Sequence, residues 1–183
     1  MRFHRRRALA LTLACALAGV ASAHAQDVRG ELRVTFAATS TLHDFEGSAA
    51  PLAVTLVQEA GGGWSAEVAV PVAALSTGNG WRDESMREMF EADRHPRIVG
   101  RVRGVDPERV RSSGELAFVL RIRDVELPLK ARVQAWQQSE RRASFDARFD
   151  VSLAAFGLAA PRIPFNRVGD VVHVRVHLDL ERT

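Results

Sequence analysis

Period-2 alternation of apolar and polar positions dominates the chain from residue 28 onward. Leu32, Val34 and Phe36 alternate with Arg33 and Thr35. Leu52, Val54 and Leu56 repeat the pattern, and Gly61-Gly62-Gly63 then turns the chain into Trp64, Ala66, Val68 and Val70. Leu116, Phe118, Leu120 and Ile122 form another apolar face, which Arg123-Asp124 reverses into Val125, Leu127, Leu129, Ala131 and Val133. After a turn over 137–142 come Phe145, Ala147, Phe149, Val151 and Leu153, and the last run carries Val172, Val174, Val176, Leu178 and Leu180. Successive side chains of a strand point to opposite faces, so each run predicts a strand that is dry on one side and wet on the other. Arg97, Arg101 and Arg103 mark the wet side of one more, beside Ile98, Val99 and Val102.

Only one segment asks for a helix. From Trp81 to Ala92, Met86, Met89 and Phe90 stand at i, i+3 and i+4, with Arg82, Glu84, Arg87 and Glu91 elsewhere around the axis. Asn79 or Gly80 can cap its start, and Pro96 closes the segment off. About eight or nine antiparallel strands with one short helix predict an all-β fold, sandwich or barrel. Alternation alone leaves those two open. No internal repeat or linker argues for a second domain.

The N-terminus is read separately. Arg2, Arg5, Arg6 and Arg7 precede the apolar stretch Ala8–Val20, and Ala23-His24-Ala25 offers a small-x-small cleavage site. That order predicts an export signal over 1–25, a domain over 26–183 and a periplasmic destination. The apolar stretch is 13 residues long, short of the ~20 that span a bilayer, so no transmembrane segment is expected after the signal is removed. Cys15, the one cysteine, lies inside this stretch. A lipoprotein anchored at Cys15 is the competing reading, but Thr12 stands where a lipobox carries Leu. Removing the signal takes four of the 25 basic residues and none of the 22 acidic ones, leaving 21 against 22. A near-neutral domain lacks the basic field that attracts nucleic acid. Without a thiol it also lacks disulfides and thiolate chemistry.

Two polar segments interrupt the alternation: Thr39-Ser40-Thr41-Leu42-His43-Asp44-Phe45-Glu46-Gly47, and Thr77-Gly78-Asn79-Gly80-Trp81-Arg82-Asp83 running into Met86, Met89 and Phe90. His95-Pro96, Gly114-Glu115-Leu116 and Asp170 follow in order before later strands. This series resembles the YceI-like family over roughly Asp27 to Leu180. The resemblance implies a lipocalin-like antiparallel β-barrel of about eight strands with one short α-helix. It also implies a non-catalytic protein that binds a polyisoprenoid: a polyprenyl chain, an isoprenoid quinone or a prenyl phosphate. In the family the first turn lies near one end of the barrel, so His43 and Phe45 are expected at the mouth or in its packing.

The candidate chemistry has plainer readings beside it. His43-Asp44 suggests acid–base work, but adjacent side chains of an extended chain diverge and no nucleophile motif accompanies them. His173 and His177 share a strand face, yet their Cα atoms would lie about 13 Å apart, too far for one zinc ion to join them directly. They are expected on the solvated face with Arg175 and Asp179. Asp83 suits a helix N-terminus, while Arg82 either pairs with a carboxylate or meets a phosphate or quinone oxygen at a pocket mouth. Met86, Met89 and Phe90 fit core packing or an adaptable apolar wall.

The expected ligand-binding set is therefore Phe36, His43, Phe45, Arg82, Met86, Phe90, Phe118, Phe145 and Phe149, with no catalytic residue, metal or cofactor. The expected partner is an isoprenoid lipid or quinone, with no nucleic acid; a homodimer is possible. A filled barrel serving as an envelope interaction module is the alternative from another class, because inward phenylalanines and leucines can fill an eight-stranded barrel. An enzyme built on His43, Asp44 and Arg82 is the third.

Overall fold

The computed structural model describes residues 28–41, 43–160, 162–163 and 166–182. The predicted export signal and Leu42 of the first turn lie outside the described residues. In chain order the strands are β1 (Val28–Ser40), β2 (Phe45–Ala49), β3 (Leu52–Gln58), β4 (Trp64–Pro71), β5 (Leu75–Ser76), β6 (Arg97–Val105), β7 (Glu115–Ile122), β8 (Val125–Gln138), β9 (Arg142–Ser152), β10 (Arg162–Ile163) and β11 (Asn166–Arg182). The helices are α1 (Gly80–Phe90) and α2 (Pro107–Ser113), and single 3₁₀ turns cover Val72–Ala74 and Ala154–Phe156.

Eight strands close a barrel in the order β1-β3-β4-β6-β7-β8-β9-β11, and β11 returns to β1. All neighbours in it are antiparallel. The closing seam is extensive, running from Val28↔Arg182 to Ala38↔Val172 before a register shift near Ser40. Closure removes the unpaired edges that an open sheet would expose. The wall is weakest between β3 and β4, which pair only at Val57↔Ser65 and Gln58↔Trp64. There β2 takes over the second half of β1, from Thr35↔Ser48 to Ala38↔Phe45, and β5 adds to β2. Gly47 faces Phe36 in this pairing, and a Cβ at Gly47 would stand 2.3 Å from the Phe36 ring. Glycine is what lets that ring lie across the strand.

The predicted helix is present as α1. Asn79 is its N-cap, its side chain accepting from the Arg82 N–H at 3.2 Å, and Glu91 ends it in the left-handed region at φ 50°. Phe90 is buried, and Met86 and Met89 pack beside it against the core. The helix lies on β5 and the Val72–Ala74 turn and so covers one end of the barrel.

The second helix has no counterpart in the apolar periodicity. α2 buries only Val110, so no 3.6-residue stripe announces it. Its signals are those of its ends: Asp106 accepts from the Glu108 N–H at 3.0 Å, Pro107 starts the helix, and Gly114 stops it at φ 67°.

The apolar positions sort into two clusters along the barrel axis. Beneath α1, Val72, Leu75, Phe90, Leu120, Ile122, Val151, Leu153, Phe156 and Leu158 form one buried cluster, in which Phe156 and Val72 are the largest fully buried side chains. Leu32, Val54, Ala131, Phe145, Ala147 and Leu178 line the middle.

Candidate functional site

The inward faces do not meet. They enclose a cavity of about 820 Å³ whose wall is drawn from all eight barrel strands. That volume falls within the range of roughly 300–1,000 Å³ typical of sites that engulf a small ligand. Strand β1 advances by about 40 Å over its 13 residues. Tilted by about 40°, it makes a barrel roughly 30 Å tall. Two features keep the middle open. The inward positions Ala131 and Ala147 carry small side chains, and Gly100 carries none, with nothing within 4 Å of where its Cβ would stand.

The lining extends toward both ends of the barrel. At the α1 end the lining includes Ser40, His43, Phe45, Asn79, Trp81, Arg82 and Ser85. Trp81 is 89% exposed there. At the other end the lining includes Trp64, Pro107, Trp136, Gln138, Arg141, Arg142 and Arg182. Trp136 stacks on Phe145 with ring centroids 4.9 Å apart and planes 5° from parallel. Further in, Phe118 and Phe149 meet edge to face at 4.8 Å.

All nine residues expected from the sequence to bind ligand, Phe36, His43, Phe45, Arg82, Met86, Phe90, Phe118, Phe145 and Phe149, lie on this lining. Trp64, Trp81, Trp136 and Gly100 also lie on the lining and were not in the set expected from the sequence. Trp136 is displaced from the simple alternation by a bulge: Ala135 adopts φ 53° and the β8–β9 register shifts between Gln134 and Gln137. Gly100 was legible as an inward position, between Ile98 and Val102, that lacks a side chain.

The His43-Asp44 segment makes turn contacts. The Ser40 hydroxyl donates to the His43 carbonyl at 2.6 Å and accepts from the His43 N–H at 3.3 Å, while the Ser40 N–H donates to Asp44 Oδ1 at 3.4 Å. These bonds set the β1–β2 reversal and leave the His43 side chain exposed at the cavity mouth.

Arg82 and Asp83 diverge in role. Asp83 is buried at 8% exposure and accepts from the Ser76 hydroxyl at 2.9 Å, the Thr77 N–H at 2.8 Å and the Thr77 hydroxyl at 2.7 Å. Burial pushes its pKa up, but the Thr77 and Ser76 hydrogen bonds outweigh that and hold the carboxyl below the ordinary range. Asp83 therefore fastens the 76–79 loop to α1, in addition to favouring the helix start. Arg82 turns the other way, with its guanidinium carbon 4.4 Å from the centre of the Phe45 ring. No carboxylate among the described residues pairs with it.

Asp170 fastens the far side of the cluster beneath α1. It accepts from the Ser152 hydroxyl at 2.6 Å and the Ala154 N–H at 2.7 Å, and these two bonds hold its pKa below the ordinary range. They fix the turn that carries Phe156 inward.

The outer face carries the remaining charge. Arg101 bridges Glu67 and Glu126 at 2.7 Å each. His173 and His177 lie outside, as expected, and each meets a carboxylate of the neighbouring strand: Asp150 and Asp146, both at 2.7 Å. Those partners follow from the β9–β11 register, His173↔Asp150 and His177↔Asp146, which a single strand's sequence does not contain. Among the described residues no three His, Cys, Asp or Glu side chains are grouped to hold a metal ion. No described helix is long and apolar enough to cross a membrane.

An eight-stranded antiparallel barrel with an apolar cavity along its axis defines a lipocalin-like barrel. The YceI-like domain profile matches residues 20–180, and the chain belongs to the YceI-like family. Among solved structures, the fold is similar to a polyisoprenoid-binding domain from Saccharophagus degradans implicated in plant cell wall breakdown. The TM-score is 0.64 at 15% identity, over 87% of this chain and 100% of that one. It is also similar to BcnA from Burkholderia cenocepacia, with TM-score 0.65 at 16% identity over 81% of this chain and 95% of that one. A comparison with curated proteins found no match.

Proposed function

We propose that this chain is an exported, periplasmic binding protein that takes the isoprenoid tail of a lipid into its barrel. The observation that carries the reading is the continuous apolar cavity of about 820 Å³. Burial drives uptake: each Å² of apolar tail removed from water contributes about 25 cal/mol, and the wall offers aromatic and aliphatic carbon along most of its length. The Saccharophagus degradans domain of similar fold, which is polyisoprenoid-binding, supports the choice of ligand. The Arg-rich, apolar, small-residue order of the first 25 residues supports export. The cavity supports this reading over that of an interaction module with a filled barrel.

Gly100 supplies the test. A side chain there enters open space from a strand position flanked by Ile98 and Val102. Gly100→Phe should fold with an unchanged far-UV spectrum while lowering affinity for geranylgeraniol in equilibrium dialysis by about tenfold or more, the scale of forced overpacking. Undiminished binding in a folded Gly100→Phe protein would show that the tail does not lie in the barrel.

A further inference from the structure

We infer that α2 is a flap in the barrel wall through which the lipid tail enters and leaves the cavity. The inference rests on the proposed uptake of a tail and concerns the regulation of that same site. Strands β6 and β7 are neighbours in the barrel but pair only from Val99↔Arg121 to Arg101↔Val119. Beyond Arg101, β6 still pairs with β4 as far as Val105, and β7 still pairs with β8 from Glu115. The two strands therefore part toward this end, and α2 is the connection that joins them across the split. Val102, Val105, Pro107, Val110 and Leu116 all line the cavity there, so the helix itself supplies part of the wall.

This piece of wall is weakly held between two fixed points. α2 buries Val110 alone. Among the described residues, the polar contacts of residues 106–112 stay inside 106–114: Asp106 caps Glu108, Arg111 pairs with Glu108 at 2.5 Å, and the Ser112 hydroxyl donates to the Arg109 carbonyl at 3.1 Å. The flanking glycines are fastened to the barrel. The Gly104 N–H donates to Ser65 Oγ at 3.1 Å, and the Gly114 carbonyl accepts from the Val133 N–H at 2.8 Å. Both glycines are left-handed, at φ 59° and 67°, where the missing Cβ removes the barrier to backbone rotation. A short segment with one buried side chain, set between two permissive hinges, opens at little cost. The other loose seam, β3–β4, has no such device: the turn that leaves β4 buries Val72 in the cluster beneath α1, and the Val72 N–H donates to the Pro96 carbonyl at 2.9 Å.

The test follows uptake and release of geranylgeraniol by stopped-flow tryptophan fluorescence, since Trp64 and Trp136 line the cavity at this end. Equilibrium dialysis gives the dissociation constant of each protein. Asp106 is exposed and lies off the lining, so Asp106→Ala loosens α2 without touching the cavity. It should speed uptake and release alike by about fivefold, the population shift that loss of a cap produces, with the dissociation constant unchanged. A flexible bis-maleimide joining Ser112→Cys to Gln134→Cys, in a Cys15→Ser background, ties the exposed side of α2 to β8 beside the Gly114–Val133 bond. It should slow both rates by about tenfold or more relative to the same protein before cross-linking, because the conformational step that binding requires is blocked.

Rates that ignore both Asp106→Ala and the cross-link, in protein that binds geranylgeraniol, would overturn the flap and leave tail uptake standing. So would acceleration by Asp83→Asn, which loosens the loop at the α1 end, with none by Asp106→Ala. A weaker dissociation constant in Asp106→Ala with uptake unchanged would make α2 a fixed part of the wall and overturn the flap too. Failure of the wild-type protein to bind geranylgeraniol at all would overturn both the flap and the carrier reading.

Discussion

Replacing Phe156 with alanine is expected to cost about 3–5 kcal/mol, the usual range for deleting a buried phenylalanine ring. Phe156 is 2% exposed and sits among Val72, Leu75, Phe90, Leu120, Leu153 and Leu158 beneath α1. Its loss leaves a void that the hydrogen-bonded Ala154–Phe156 turn, tied to Asp170, hinders from collapsing. Phe118 provides the contrast within the same barrel. It is half-buried on the cavity wall and already borders open space. Phe118→Leu should therefore stay within about 1.5 kcal/mol while altering the yield of bound isoprenoid. Urea melts of the two variants check the difference. Equal costs would mean that Phe118 is packed as tightly as Phe156, and its place beside open space on the cavity wall would be wrong.

Asp83→Asn is expected to destabilise the protein by about 2–3 kcal/mol, as when a buried, charge-assisted hydrogen-bond set is broken. The amide retains one acceptor for three donors and sets an NH₂ group against them. The pH dependence carries a definite sign. The folded pKa of Asp83 is lowered, so its contribution is fully present above the ordinary aspartate value of about 3.9. It is lost as pH falls below that value and through the folded one. The gap between wild type and Asp83→Asn in chemical melts should thus be constant near neutrality and narrow below about pH 4. A gap that widens on acidification would show that the carboxyl is not held ionised by Ser76 and Thr77.

Much of this architecture was readable from residue order, and the reasons differ by element. Strands with one dry face declare themselves by alternation, and the inward assignment of Phe36, Phe118, Phe145 and Phe149 follows directly. α1 combined a cap at Asn79 with the stripe of Met86, Met89 and Phe90. α2 buries one residue and so had only end signals. Barrel closure pairs Val28 with Arg182 across nearly the whole chain, a long-range fact that alternation does not encode. The short strand β2 was hidden within a segment whose polar residues read as a turn, and β5 is only two residues long.

The cavity was the least legible feature. Whether inward phenylalanines meet or stand apart depends on barrel radius and on small residues at Gly100, Ala131 and Ala147 acting together. Arg82 was legible as a pocket-mouth cation or an ion-pair partner. In the structure its guanidinium lies over the Phe45 ring on the cavity lining.

The claim that the barrel carries an isoprenoid is tested most directly by native mass spectrometry of wild-type protein purified from the periplasm of lipid-replete cells, with organic extraction of whatever is bound. The expected result is an adduct near one per chain whose extracted mass is an isoprenoid lipid, released on unfolding and absent from Gly100→Phe. Repeated preparations of folded wild-type protein with no extractable isoprenoid would contradict the carrier function.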